Sequence, residues 1–300
     1  MIKMKQCLFL FFLCCSTAFA QKTDKKLQHK IEALVEDFHG DVGVFVHDLK
    51  KNKIAAVNAD TIFPTASMVK VPILTGVMHK IQEGKLQYHQ IMTYTDSLFY
   101  SEGDDMLASF KSNEKIELAK VIMLMMSTSD NAASLWLQGL SGGGVIINQH
   151  MEDLGLKHTK VNSRTEGRRS DWKVYGWGQT TPREMSTLMK LIVDNKIINR
   201  SYSERMLRVM GRQFWDEHAL AEIPPDVFVA DKNGAVDASR SEVLYVNGDH
   251  PYIFTICTKN NKDQSWEPQN EAWQLIRKLS AMLWDYYNPH STWEPAPTIK

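Results

Sequence analysis

Cysteine is scarce and badly placed for cross-linking. Of the four in this 300-residue chain, Cys7, Cys14 and Cys15 fall near the start, and only Cys257 lies farther on. A lone thiol forms no internal disulfide and cannot hold a zinc ion by itself, so stability has to come from packing. Its setting, Tyr252-Ile253-Phe254-Thr255-Ile256-Cys257, reads as a buried strand. An excess of one charge is also missing: 35 basic residues meet 35 acidic ones. Without a basic surplus there is nothing to displace counterions, so no nucleic-acid partner is expected. No apolar run approaches the ~20 residues that span a bilayer, so no stable membrane span is expected either. G-x-S-x-G, H-E-x-x-H, Walker A and G-x-G-x-x-G motifs are all absent, and the ten histidines show no metal-ligand spacing. Neither a metal nor an organic cofactor is implied. A serine–histidine triad has no local signature, although spacing alone leaves it open.

The first twenty residues stand apart. Lys3 and Lys5 precede the short apolar stretch Cys7–Cys15, and Ala18-Phe19-Ala20 offers small residues around a cleavage point. This is the layout of an export signal over residues 1–20, cut near Ala20, which points to a periplasmic or secreted protein. An N-terminal anchor and lipidation at Cys14 or Cys15 are the alternatives; both would tether the same fold.

Beyond the signal, helical spacing at 27–38 is followed by strand patterns at 41–49 and 54–58, joined by the turn Lys50-Lys51-Asn52-Lys53. Helical patterns fill 68–83, 114–126, 130–140, 144–154, 183–196 and 202–211. Ser141-Gly142-Gly143-Gly144 breaks two of them; with no Lys-Ser/Thr following, it reads as an interhelical turn and not a phosphate loop. Strands return at 227–230, 242–246 and 252–258, and a helix covers 267–286. Strands at both ends and helices between predict an α+β fold. Its five-stranded antiparallel sheet is flanked by the N- and C-terminal helices, and an all-helical subdomain is inserted. On this reading 21–300 is one domain, its α/β part about 21–62 and 213–290 and its helical part about 63–212. A cleft between the parts is the natural place for a site.

Three segments can carry chemistry. Ser67-Met68-Val69-Lys70 puts a hydroxyl and an amine one helical turn apart, at a helix start where negative charge is favoured. A serine cap with a solvated lysine is the plain alternative. Against it, Val71, Ile73, Leu74 and Val77 make the helix apolar, where a free lysine is expensive. Ser129-Asp130-Asn131 stands between two apolar helices and could equally be a helix cap. Asp231-Lys232-Asn233-Gly234-Ala235 follows a strand pattern; it suits a substrate-binding edge, or, through Asn-Gly, a hairpin turn.

In this order and spacing the three segments resemble the signature of the serine β-lactamase and penicillin-binding-protein superfamily, most closely class A β-lactamases. Arg164-Thr165-Glu166, with Thr180-Thr181-Pro182 ahead of a helix, resembles the class A Ω-loop. The resemblance spans about 25–285. It implies a monomeric hydrolase whose partner is a small-molecule β-lactam. Ser67 would be the nucleophile, and Lys70 its base or the electrostatic partner of that base. Ser129 would relay a proton to the departing nitrogen, and Glu166 would activate the deacylating water. Asn131 would bind the substrate's side-chain amide, and Lys232 would supply positive charge near Ser129 and the substrate carboxylate. The N–H groups of Ser67 and Ala235 would form the oxyanion hole. Arg240 could anchor the carboxylate or be a solvated strand arginine, and Tyr100 could stack on the substrate.

The sequence departs from the family in two places. Asn233 replaces the third motif's hydroxyl residue, which changes how a carboxylate is met. In the Ω-loop, Ser170 stands where the family has an asparagine, and Gln179 where it has the aspartate that pairs with Arg164. Arg168 and Arg169 bring positive charge near Glu166, while Trp172 and Trp177 offer apolar packing instead. Besides a β-lactam hydrolase, a related serine peptidase, amidase or esterase acting on peptidoglycan-type peptides remains open. So does a protein that is acylated without turnover.

Overall fold

The computed structural model describes residues 21–98, 100 and 105–296. Residues 1–20, over which an export signal is expected, lie outside them, Cys14 and Cys15 included. The main sheet holds β1 (Lys22–Thr23), β2 (Asp41–Asp48), β3 (Lys53–Val57), β4 (Phe228–Val236), β5 (Ser239–Asn247) and β6 (Tyr252–Lys259), in the spatial order β1-β3-β2-β6-β5-β4. The five expected strands are antiparallel, Val44 pairing with Ile256 and Val243 with both Thr255 and Lys232. The sixth strand is the two-residue β1, parallel to β3. No two-residue segment can show a strand period, so it left no mark in the sequence.

Strand alternation divides the sheet between two cores. Leu244, Val246, Phe254 and Ile256 face α1 (Lys25–Val35) and the long C-terminal helix, burying Leu27, Ile31, Ile276, Leu279 and Leu283 with them. Each such side chain contributes roughly 1.5–3 kcal/mol of transfer free energy. Val243, Tyr245, Ile253 and Cys257 face the helical half, where α2 (Lys70–Gln82) is the central element. Residues Lys70 to Met78 are all buried, as expected for a helix apolar all round. Pro72 is tolerated because it sits in the first turn.

The chain then runs through α3 (Leu118–Met123), α4 (Asn131–Leu140), α5 (Gly143–Asp153), α6 (Arg169–Tyr175), α7 (Pro182–Val193), α8 (Arg200–Met210) and finally α9 (Glu271–Tyr287). Caps follow the sequence signals: Asp130 opens α4, and Thr181 opens α7 with Pro182 behind it. The helix expected over 114–126 is interrupted. Lys115–Glu117 forms a strand with Ile91–Thr93, and after α3 the chain widens into a π turn over Leu124–Thr128. Asn233-Gly234 is not a hairpin turn. β4 continues through both residues, and the chain reverses at Asp237-Ala238.

Candidate active site

The catalytic candidates meet where α2 starts, where α4 starts, and along β4, the outer edge of the sheet. A short 3-10 turn, Ala66–Val69, leads into α2. Ala66 is held at φ 44°, a conformation costly for a residue with a Cβ, and Ser67 follows it, partly exposed between buried neighbours. Ser129 is strained too. The π turn ends on it at φ 61°, ψ 28°, which turns the chain sharply into Asp130 and α4. Gly234 permits the third approach: a Cβ there would stand 2.6 Å from both Ser67 N and Thr65 O. No other residue type lets β4 lie this close to the serine.

Lys70 is fully buried and joins the first two segments. Its Nζ stands 2.9 Å from Ser67 Oγ, 2.9 Å from Ser129 Oγ and 2.8 Å from Asn131 Oδ1, and it also meets the Ser129 carbonyl. The carbonyl and the amide oxygen can only accept, so they take two N–H groups. A neutral amine then has its lone pair left for a hydroxyl proton. Electrostatics favour that form: burial first, and then the charge on Lys232, hold Lys70 well below the usual lysine range. Asp105 and Asp130 oppose the shift.

Lys232 is itself fully buried and pulled downward by burial. Its Nζ donates to the Asn233 carbonyl at 2.8 Å and to Asn233 Oδ1 at 2.9 Å. The amide nitrogen of Asn233 is thereby turned free of Lys232. Ser241 Oγ donates to Thr65 O at 2.8 Å, tying β5 to the residue two before Ser67. Tyr100 lies edge-on to Trp177, ring centroids 5.4 Å apart.

The Beta-lactamase2 family, described as a β-lactamase enzyme family, matches residues 26–287. The chain belongs to this family. Class A serine β-lactamases are its likeness in both sequence and fold. It is 20% identical to β-lactamase VEB-1 of Pseudomonas aeruginosa over 293 residues, 93% of this chain and 95% of that one. The fold matches a structure of PBP-A with a TM-score of 0.79 at 25% identity, covering 90% of this chain and 98% of that one. A variant of PBP-A was solved as an acyl-enzyme complex with penicillin G. A β-lactamase from Chitinophaga pinensis DSM 2588 superposes with a TM-score of 0.78 at 21% identity, covering 87% and 99% of the two chains. Family membership supports a hydrolase acting on β-lactams.

One expectation for the Ω-loop does not fit the geometry. Glu166 is exposed, takes no part in the hydrogen bonds and ion pairs among the described residues, and is not among the charges acting on Lys70. The preceding residue explains why. Thr165 is the inward one, wedged so tightly against Gly144 of α5 that a Cβ there would lie 1.8 Å from its hydroxyl. The loop's clasp has also changed hands. Arg164 is exposed at φ 48°, and Gln179 instead accepts from Arg168 Nη2 at 2.8 Å. Arg168 holds Asn162 Oδ1 through Nε at 3.0 Å and Nη2 at 2.9 Å, and pairs with Asp171 at 3.3 Å.

Arg240 cannot anchor a substrate carboxylate. It pairs with Ala235 but projects to the α9 face, where its guanidinium lies 4.6 Å and 4.7 Å from the Trp266 and Trp273 ring centroids. It donates to the carbonyls of Val236, Asp237, Ser239 and Ser265 and is fully buried. Counting from Lys232 fell one residue short of the cleft side, and in a strand one residue is the difference between faces. Ser241, the next residue, is on the Ser67 side.

Asp105 was not anticipated. Its Oδ1 accepts from Asn131 N at 2.7 Å, and its Oδ2 from Ala132 N at 3.3 Å. Acidic residues at 104 and 105 were visible in the sequence, but nothing local tied them to a helix that starts at 131.

Proposed function

We infer that the protein is a serine β-lactam hydrolase that works through an acyl-enzyme on Ser67, and that hydrolysis of this ester is its slow half-reaction. The observation carrying the reading is the buried Lys70 amine within hydrogen-bond reach of both Ser67 Oγ and Ser129 Oγ. Ser67 Oγ attacks the lactam carbonyl carbon as its proton passes to Lys70 Nζ. The carbon–nitrogen bond then breaks, and the Ser129 hydroxyl gives its proton to the leaving nitrogen. Lys70 restores the Ser129 proton and is neutral again. Backbone N–H groups of Ser67 and Ala235 receive the carbonyl oxygen, each worth roughly 3 kcal/mol to the transition state. Asn131, whose Oδ1 is engaged by Lys70, offers its NH2 to a side-chain carbonyl of the substrate. Lys232 and the amide nitrogen of Asn233 meet the substrate carboxylate, and Tyr100 stacks beside it. This Asn233 role differs from a hydroxyl's in reach, not in kind.

Deacylation has weaker support. A carboxylate misplaced by ~1 Å can cost ~100-fold, and Glu166 faces solvent. A chromogenic cephalosporin mixed rapidly with the mature chain should give a burst near one equivalent per Ser67, then slow turnover. Glu166→Gln should change the slow phase by less than about threefold. A slowing of ~100-fold would mean that Glu166 is the deacylating base and that slow hydrolysis needs another cause. The same exposure of Glu166, with the likeness to PBP-A, favours one second reading: a serine peptidase acting on peptidoglycan-type peptides. Release of terminal D-alanine without lactam turnover would select it.

A further inference from the structure

We propose that Asp105 is a positioning residue of the active site: it fixes the start of α4 from outside that helix and, through Asn131, sets the contact that α4 makes with the Lys70 amine. The geometry is a two-way latch. Asp105 takes the first two N–H groups of α4, those of Asn131 and Ala132. Asp130, the helix's own cap, takes the third from Ala133 at 2.7 Å through Oδ1. Its Oδ2 reaches back to accept from Leu107 N at 3.0 Å, in the 3-10 turn right after Asp105. Each segment therefore supplies a carboxylate that binds the other's backbone.

Capping alone does not account for this. α4 already has Asp130, and one carboxylate is the usual complement of a helix start. A second one, 9% exposed, is disfavoured by burial and by the charge of Asp130 beside it. What the second carboxylate adds is reach into the catalytic group. The residue whose N–H it holds most tightly, Asn131, gives its Oδ1 to Lys70 Nζ at 2.8 Å. The chain of contacts runs Asp105, Asn131, Lys70, Ser67. Among the described residues three charged groups act on Lys70: Lys232 from β4 disfavours its cation, while Asp105 and Asp130 favour it. Asp105 thus acts against Lys232 as a negative charge on the Lys70 amine. This rests on Lys70 being the base of the acylation step.

The test uses Asp105→Asn, which keeps an acceptor for the helix N–H groups and removes the charge, beside Asp105→Ala. Two readouts are needed. The first is the titration of Lys70 followed by NMR on 13C-lysine protein, its signal assigned by loss in Lys70→Arg. The second is the pH profile of acylation by penicillin G, read by intact-protein mass. With Asp105→Asn the Lys70 midpoint falls. The acid limb of acylation moves to lower pH by the same amount, and the plateau rate drops about tenfold as Asn131 loosens. Asp105→Ala drops it further. An unmoved Lys70 midpoint, or a loss of thermal stability with no displacement of the acid limb, overturns the proposal. Failure of the acylation reading looks different: the parent protein then forms no adduct at all, and the Lys70 titration still decides the role of Asp105.

Discussion

At the scale of single residues, the site is an arrangement of charges around one buried amine. Lys70 lies well below the ordinary lysine value because it is buried and because Lys232 is near. As a base it works only when neutral, so acylation should rise with pH through the Lys70 value and then hold. Removing the Lys232 charge removes a force that disfavours the Lys70 cation, so the Lys70 value rises. Lys232→Gln should therefore move the acid limb of acylation to higher pH, opposite in direction to Asp105→Asn. It should also lower the plateau by about 10²–10³ through lost carboxylate binding and charge near Ser129. A limb that stays in place, read by stopped-flow acylation across pH, would mean that the two lysines do not interact. Ser67, Lys70, Ser129 and Asn131 were legible in the sequence because each motif is a short pattern, although Lys70 meets Ser129 and Asn131 only across the fold. Asp105 and Arg168 were not. Asp105 acts on a helix that starts well beyond it, and the partners of Arg168, though close in sequence, follow no pattern that names them.

At the scale of elements, the β4–β5 hairpin carries a device on each face. On the cleft face are Lys232, Gly234 and Ser241. On the other are Arg240 and a pair of buried carboxyls, Asp231 and Glu242, both fully buried. Arg240 braces the hairpin end, so Arg240→Ala should cost about 2–4 kcal/mol of stability. KM for a penicillin should stay within about twofold. Thermal melts and steady-state kinetics on one preparation decide this; a large rise in KM with an unchanged melt would return Arg240 to the binding site. Asp231 and Glu242 are both pushed upward by burial; the Asp231 charge raises Glu242 further, and Lys232 opposes the shift of both. Folded, they keep protons above the pH of ~4 at which the unfolded chain loses them. The folded state then binds more protons, and stability falls as pH rises from there through the folded values. Glu242→Gln removes one of these groups while its amide oxygen can still accept from Ala219 N. It should stabilise the protein by about 1–3 kcal/mol at pH 8 and by nothing near pH 4. Denaturant titrations at the two pH values check it, and an equal gain at both would show that ionisation is not the cause. Strand periods predicted these elements well; which face each residue takes depends on register, and that is where the Arg240 expectation failed.

At the scale of the whole molecule, composition and pattern were enough for the architecture. Strands at both ends of the chain and helices between them leave one economical closure: a sheet built from both ends, with a core on each side. Cys257, the one cysteine among the described residues, is buried on the helical side of β6, as its apolar run predicted. Among the described residues no helix is long and apolar enough to cross a membrane. The two-residue strand β1 and the five-residue π turn before Ser129 escaped, since each spans about one period and so shows no repeat. The fold presents Ser67 at the meeting point of both halves, and the account stands on that serine becoming covalently modified. The most direct measurement is intact-protein mass spectrometry after seconds of exposure to penicillin G, on the parent and on Ser67→Ala, with peptide mapping of the adduct. The account predicts one penicilloyl group per chain, mapped to Ser67, fading over minutes and absent from the variant. An unmodified parent that also turns over no lactam, or an adduct of equal yield on Ser67→Ala, would contradict it.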